Sequence, residues 1–189
     1  RLQAQVLVNE VCASNMSDYA DNYGEFEDWF ELYNGGAAAV DISGWWVSNR
    51  AGNPLKWQVP VGTTIPANGY RVFICSKRDI VVGATIHTSF NLNQTDEDHV
   101  LLSNAAGTEV DDFEFVLGQR TQLGHSRGRT TDGAAAWSLF TNPTPGASNT
   151  GASASYAAPP NLSPAAGFYA GSQSITMTAV AGATIRYTL

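Results

Sequence analysis

An acidic segment near the N-terminus is the first group of residues whose types could bind a ligand. Residues 18–28 read DYADNYGEFED, and several oxygen-bearing side chains surround Gly24. The candidate metal ligands are Asp18, Asp21, Asn22, Glu25 and Asp28. A hard cation such as Ca²⁺ takes about six to eight oxygen ligands. The segment is therefore a candidate Ca²⁺ site, but its spacing departs from that of an EF-hand. We favour the alternative interpretation, a solvated turn between two strands. No other cofactor is expected.

Histidine and serine are the next candidates, because general acid–base and nucleophilic catalysis need such groups held together. The three histidines, His87, His99 and His125, lie in different segments. Ser126 directly follows His125, and a sequence neighbour is badly placed to act as the base of a serine nucleophile. We therefore expect structural or solvated roles for these residues, and we predict that the chain is not an enzyme.

Aromatic and basic side chains form two further candidate ligand-binding groups. Trp46 and Trp57 would stack on a sugar ring if their strands left them exposed, and the alternative for them is core packing. Arg127 and Arg129 lie two residues apart, where they could contact a phosphate or an acidic polymer. The alternative for the arginines is an ordinary solvated loop.

The two cysteines, Cys12 and Cys75, lie in segments with the pattern of strands. They are either two buried thiols or one disulfide between neighbouring strands. Their spacing excludes a zinc knuckle and a CxxC redox pair.

Composition and charge exclude several classes of partner. The formal net charge is −7 and only 14% of the residues are charged. This acidic balance argues against general nucleic-acid binding and against docking on anionic lipid. No apolar run reaches the roughly 20 residues of a transmembrane helix, so membrane insertion is not expected. No signal peptide is recognisable in the given sequence. The scarcity of charge among many Thr, Ser, Asn and Gly residues favours a secreted or cell-surface protein.

Short strands are the elements that must position these groups. Phe30 and Leu32 alternate with Glu31, and residues 70–75 are apolar on both faces, which predicts a central strand. Turn signals such as Asn34-Gly35-Gly36 recur at short intervals, and no segment has a convincing helical period. The sequence therefore predicts an all-β sandwich or barrel.

Composition divides the chain into three parts. Residues 1–149 form the predicted domain, and residues 150–158 are small and polar, as in a linker. Residues 159–189 supply two or three strands, including one around Ile185 and Tyr187. We interpret them as part of a second β module, because a lone hairpin is only marginally stable in water.

The first 149 residues resemble the lamin tail domain in its bacterial extracellular form. The resemblance depends on a series of motifs that occur in the family's order. They are VNEV at 8–11, EDWFELYN at 27–34, DISGWWVS at 41–48, KWQVP at 56–60, TIPANGY at 64–70, and Trp137 followed by TNPTPGA at 141–147. The resemblance implies an immunoglobulin-like β-sandwich of about nine strands, and it supplies no catalytic residues.

Residues 159–189 resemble the start of the chitobiase/hexosaminidase C-terminal-type β module, which is an accessory domain without catalytic activity. The motifs are PNLSPAAGFY at 160–169, SITMT at 174–178 and ATIRYT at 183–188.

Taken together, these features predict a non-catalytic binding or tethering module of a larger secreted or cell-surface protein, with an unknown protein or a polysaccharide as ligand. One alternative is a carbohydrate-binding module. Another is an accessory domain that steers an attached nuclease or spore-coat-type kinase domain. A strand-swapped homodimer through residues 159–189 is also open.

Overall fold

The computed structural model of the protein describes residues 5–95, 98–116, 118–153 and 155–188. It divides into two compact units, residues 1–154 and residues 155–189. The boundary falls inside the segment for which we predicted a linker. All regular elements of the described residues are β-strands. None of these residues forms a helix of the length and apolar character needed to cross a membrane.

Thirteen strands occur in the described part of the first unit, against the nine or so expected. Glycines with a positive φ, such as Gly44 and Gly62, lie in turns between the strands, and several of the strands there have only two residues. The strands are β1 (Val6–Cys12), β2 (Trp29–Asn34), β3 (Val40–Asp41), β4 (Trp46–Ser48), β5 (Trp57–Gln58), β6 (Thr64–Ile65), β7 (Gly69–Ile74), β8 (Ile80–Val82), β9 (Thr85–His87), β10 (His99–Ser103), β11 (Glu109–Glu114), β12 (Ser126–Arg129) and β13 (Trp137–Phe140).

These strands form an immunoglobulin-like sandwich, which confirms the predicted fold. A seven-stranded sheet has the order β13-β12-β1-β2-β7-β9-β8, and a four-stranded sheet has the order β11-β10-β4-β5, while β3 pairs with β6. Both sheets supply the main core: Phe30 and Phe73 from the first sheet stack at 4.9 Å between ring centroids, and Val47 and Leu102 come from the second. The face of the seven-stranded sheet that meets this core is called the inner face below, and the opposite face is the outer face.

A β-bulge in β1 explains how an acidic strand joins the sheet. The pairing register with β2 shifts between Val8 and Glu10. Strict alternation would place Glu10 on the same face as Val8, but the extra residue lets both Val8 and Val11 join the main core. Asn9 and Glu10 are instead buried among polar groups.

Two irregular segments cover parts of the outer face. The loop of residues 13–28 places Tyr19 edge-on to Trp29, with 6.0 Å between ring centroids. The segment of residues 141–153, called the closing segment below, ends in a bridge between Ser153 and Leu139 of β13, with N–O distances of 2.8 and 3.1 Å. The free edge of β13 is therefore covered by the chain itself.

The second unit contains a two-stranded sheet of β14 (Asn161–Ser163) and β15 (Thr176–Thr178). Several of its apolar side chains are exposed, among them Leu162, Phe168 and Ile175. The strand predicted around Ile185 and Tyr187 is wrong, because residues 183–188 form no strand. Leu189 lies outside the described residues.

Candidate functional site

The acidic segment of residues 18–28 is paired with an arginine. The Arg78 guanidinium contacts Asp21 at 3.2 Å and Glu27 at 3.5 Å, and it also pairs with Glu25. Arg78 lies after β7, so these ion pairs fasten the loop to the sheet. Its guanidinium also lies over the Tyr23 ring, 4.9 Å from the centroid.

The other predicted metal ligands have different partners. Asn22 Oδ1 lies 2.7 Å from His87 Nε2. Burial raises the pKa of Asp28 to about 6, although the backbone amides of Leu92 and Asn15 favour its charged form. Among the described residues, no three or more His, Cys, Asp or Glu side chains form a group that could hold a metal ion. The Ca²⁺ interpretation, which included Asp18, therefore gains no support from this arrangement.

The candidate catalytic groups hold structural hydrogen bonds. His87 is buried, with Ser76 Oγ 2.9 Å from its Nδ1. His99 Nδ1 lies 2.9 Å from an oxygen of Asp112. Ser126 is also buried and donates its hydroxyl proton to Glu10. Its neighbour His125 lies in the preceding loop, and the structure does not join the two as a nucleophile and base.

Of the two predicted sugar-stacking tryptophans, Trp57 is a core residue. It is buried edge-on to Phe73 and Phe90, and its Nε1 donates to Asp79 Oδ1 at 2.7 Å. Trp46 is partly exposed at the start of β4. An exposed strip of Trp46 and Trp57 therefore does not form, because alternation along β5 turns Trp57 into the sandwich.

Arg129 holds the two sheets together and does not form a patch with Arg127. Its Nε donates to the Val8 carbonyl at 2.6 Å, and its Nη2 donates to Asp111 Oδ2 of β11 at 2.7 Å. The guanidinium lies 5.0 Å from the centroid of the Trp137 ring, and the residue is only 5% exposed. Arg127 remains partly exposed, and its Nε donates to the Gln119 carbonyl at 3.0 Å.

The two cysteines are free and buried, so the disulfide interpretation is wrong. Cys12 pairs with Trp29, and Trp29 pairs with Ile74, so these three residues share the outer face. Cys75 follows Ile74 and belongs to the main core on the inner face. Two strand spacings and the sheet itself separate the sulfurs. Burial raises the pKa of Cys12 to about 12, and that of Cys75 rises for the same reason.

A buried polar network lies under the closing segment, and the sequence analysis did not identify it. Glu10 and Glu31 are cross-strand neighbours, and both are fully buried. Glu10 accepts hydrogen bonds from Thr144, and Glu31 accepts one from the Gly146 amide at 2.6 Å. Asn149 Nδ2 donates to the Arg129 carbonyl at 2.7 Å. The network therefore fastens the closing segment to the outer face.

Burial and neighbouring carboxylates shift the pKa values of the acidic side chains in this network. Burial is the main cause that raises the pKa of Glu31 to about 8, and the nearby Glu10 and Asp132 carboxylates add to it. Burial also raises the pKa of Glu10. Burial alone would raise the pKa of Asp132, but hydrogen bonds from Asn149, Ser148 and Tyr70 outweigh it and lower the pKa.

Two clefts open on the outer face on either side of a tyrosine pair. Tyr33 and Tyr70 are cross-strand neighbours whose ring centroids lie 5.2 Å apart, and the Tyr70 hydroxyl donates to Asp132 Oδ2 at 2.6 Å. The larger cleft has a volume of about 620 Å³ and the smaller about 230 Å³. Tyr33, Leu7 and the small residues 35–38 line the larger cleft, with Gln5, Asp132 and Gly133. Tyr70, Val72 and Thr85 are among the residues that line the smaller one.

Comparison with known protein families identifies the family to which the chain belongs. The family model described as Lamin Tail Domain matches residues 2–116, which is more than half of the chain. The protein belongs to the lamin tail domain family, an immunoglobulin-like family that is not known to be catalytic. No curated protein matches the chain significantly.

Proposed function

We propose that the chain is a non-catalytic binding module of a larger secreted or cell-surface protein, and that its outer face holds a polysaccharide chain across the Tyr33–Tyr70 pair. The observation that carries this proposal is the position of the two clefts, one on each side of the pair. A ligand made of repeating rings would occupy both clefts and contact the tyrosines between them.

The chemistry of the clefts supports a carbohydrate ligand. Aromatic rings offer a flat apolar surface with a polar tip, and the hydroxyl of Tyr70 is held in place by Asp132. The glycines and alanines of residues 35–38 leave room for a bulky ring, while Gln5 and Asp132 add polar groups to the wall. The larger volume lies in the ordinary range of ligand pockets, about 300–1,000 Å³. The net charge of −7 disfavours a polyanionic ligand.

Binding to insoluble polysaccharides tests this proposal. Depletion isotherms on cellulose, chitin and peptidoglycan are expected to show saturable binding to at least one of them. Tyr33→Ala should weaken that binding at least about tenfold, because losing an aromatic contact removes on the order of 1.4 kcal/mol. Tyr169→Ala removes an exposed tyrosine of the second unit and is the matched control.

The outcomes separate the alternatives. If the wild type binds none of the three polymers, or if Tyr33→Ala binds as tightly as the wild type, the outer face is not the carbohydrate site. Weakened binding of Tyr169→Ala alone would place the site on the second unit. Circular dichroism of each variant confirms that its fold is retained.

The location is a separate part of the proposal. The low share of charged residues supports a secreted or cell-surface protein. An antibody against residues 1–149 should detect a band well above the 20.1 kDa of this chain in the medium or envelope fraction of the native organism. A cytoplasmic band would contradict the proposed location, and a band near that mass would contradict the proposed role as an accessory module.

The second unit is proposed to be part of a chitobiase-type accessory module. Its exposed apolar side chains support packing against further β-structure, because a lone two-stranded sheet is only marginally stable in water. The strand-swapped homodimer through residues 159–189 and the steering of an attached nuclease or kinase domain stay predictions.

A further inference from the structure

The two edge strands of the seven-stranded sheet differ in whether another segment of the chain pairs with them. At one edge, Ser153 pairs with β13 through two backbone hydrogen bonds. At the other edge, β8 pairs with β9 in a regular hairpin and ends the sheet. Its three residues, Ile80, Val81 and Val82, are 38%, 50% and 39% exposed.

An exposed edge of β-branched apolar residues favours pairing with another strand. Natural proteins protect such edges with a very short strand, with lysine or proline, with a bulge or with a covering segment, and of these β8 has only its short length of three residues. β8 contains neither lysine nor proline, and its register with β9 runs without a bulge. The partner that it fits must offer a short apolar strand of its own.

We propose that β8 pairs with β8 of a second copy of this chain, antiparallel and with Val81 on the two-fold axis. This register sets Ile80 opposite Val82 of the second copy and Val82 opposite its Ile80. Such an interface is isologous, since the same three residues serve on both sides.

The backbone of β8 suits this register. Val82 and Thr85 close the two-residue hairpin loop, and in an antiparallel ladder hydrogen-bonded pairs alternate with pairs that are not hydrogen-bonded. The N–H and C=O of Val81 therefore point to the open edge, where the two Val81 residues can exchange two hydrogen bonds. The flanking charged residue Asp79 would lie opposite Gly83, so the register opposes no like charges.

Pairing of the two β8 strands would also bring the ligand clefts of the two copies close to each other. Residues that are opposite one another in an antiparallel ladder point to the same face, so the two outer faces would form one continuous surface. The smaller cleft includes Ala84 and Thr85 from the hairpin itself and would lie near the junction in both copies. Two linked sites of this kind bind a polymer more tightly than one, without any new contact to the ligand.

Analytical ultracentrifugation of the full chain tests the proposal. The wild type is expected to change from monomer to dimer as its concentration rises to the millimolar range. Added salt should favour the dimer, because each copy carries a charge of −7 and salt screens their repulsion. Val81→Pro should abolish the dimer: proline is tolerated on an edge strand, but it removes the outward N–H.

A cysteine variant tests the register and does not depend on the proline variant's fold. Hydrogen-bonded antiparallel partners have Cα atoms about 5.5 Å apart, within disulfide range. Val81→Cys should form a covalent dimer under mild oxidation, whereas Val61→Cys, at a position that is 94% exposed, should not. A wild type that stays monomeric at millimolar concentration, or equal cross-linking of the two cysteine variants, would overturn the proposal.

Discussion

Replacing Arg129 with alanine should lower the free energy of unfolding by about 3–5 kcal/mol, since it removes one partner of a buried ion pair. The substitution leaves the Asp111 carboxylate without its guanidinium partner, 2.7 Å away in the folded protein. It also removes the hydrogen bond to the Val8 carbonyl at the bulge and the packing on Trp137. The substitution therefore removes a contact between the two sheets, because Arg129 is in β12 of one sheet and Asp111 is in β11 of the other.

Chemical denaturation measures this loss, and Arg127→Ala supplies the control. Arg127 is two residues away and is partly exposed, so its replacement should lower the free energy of unfolding by less than about 1 kcal/mol. Arg129→Ala with Asp111→Asn should recover part of the loss, because the double variant no longer buries an unpaired charge. Equal effects of the two single arginine substitutions would show that Arg129 does not hold the sheets together.

The stability of the wild type should fall as the pH rises from about 4.5 to about 8, because of Glu31. The folded protein raises the pKa of this carboxyl from 4.5 to about 8, so the folded state binds its proton more tightly than the unfolded state. Its contribution is therefore fully present below pH 4.5 and is lost as the pH rises through the folded pKa. A shift of this size corresponds to several kcal/mol as an order of magnitude.

Glu31→Gln isolates this contribution, because its amide does not titrate. Unfolding free energies of the wild type and the variant are to be measured at intervals between pH 4 and pH 9. The wild-type value minus the variant value should decrease across that range, whatever offset the lost hydrogen bonds produce. Glu109→Gln changes an exposed carboxylate on β11 and should leave the corresponding difference flat. If the Glu31→Gln difference is also flat, the raised pKa is wrong.

The fold was largely readable from the sequence because it follows from alternation. Phe30 and Leu32 lie in the main core as their spacing predicts. The central position of β7 is also confirmed, since Phe73 faces the main core while Ile74 packs with Cys12 and Trp29. Period-two patterns report which residues share a face, and that is the information a sandwich requires.

The candidate site was not readable, because alternation does not reveal what covers a face. Glu31 was correctly expected opposite Phe30, yet it is buried beneath residues more than 100 positions later in the chain. Arg129 had the local sequence of a solvated loop, and only the bulge at Val8 and the position of Asp111 bring its partners together. Tyr33 and Tyr70 became a candidate site only through the register between β2 and β7. The alternation of a strand excludes a one-residue slip of its register, but a two-residue slip keeps every side chain on the same face, so alternation alone does not set Tyr33 opposite Tyr70.

The closing segment lies far along the sequence from the strands that it covers, and this separation affects how the domain can fold during its synthesis. Glu10 and Thr144 are 134 residues apart. At about 5–20 residues per second, ribosomes would need on the order of ten seconds to make the intervening chain. Until then, β1 and β2 are made but their two buried glutamates have no donors from residues 144–146. We therefore expect Glu10 and Glu31 to stay in contact with water during that time, because the closing segment that buries them has not yet been made.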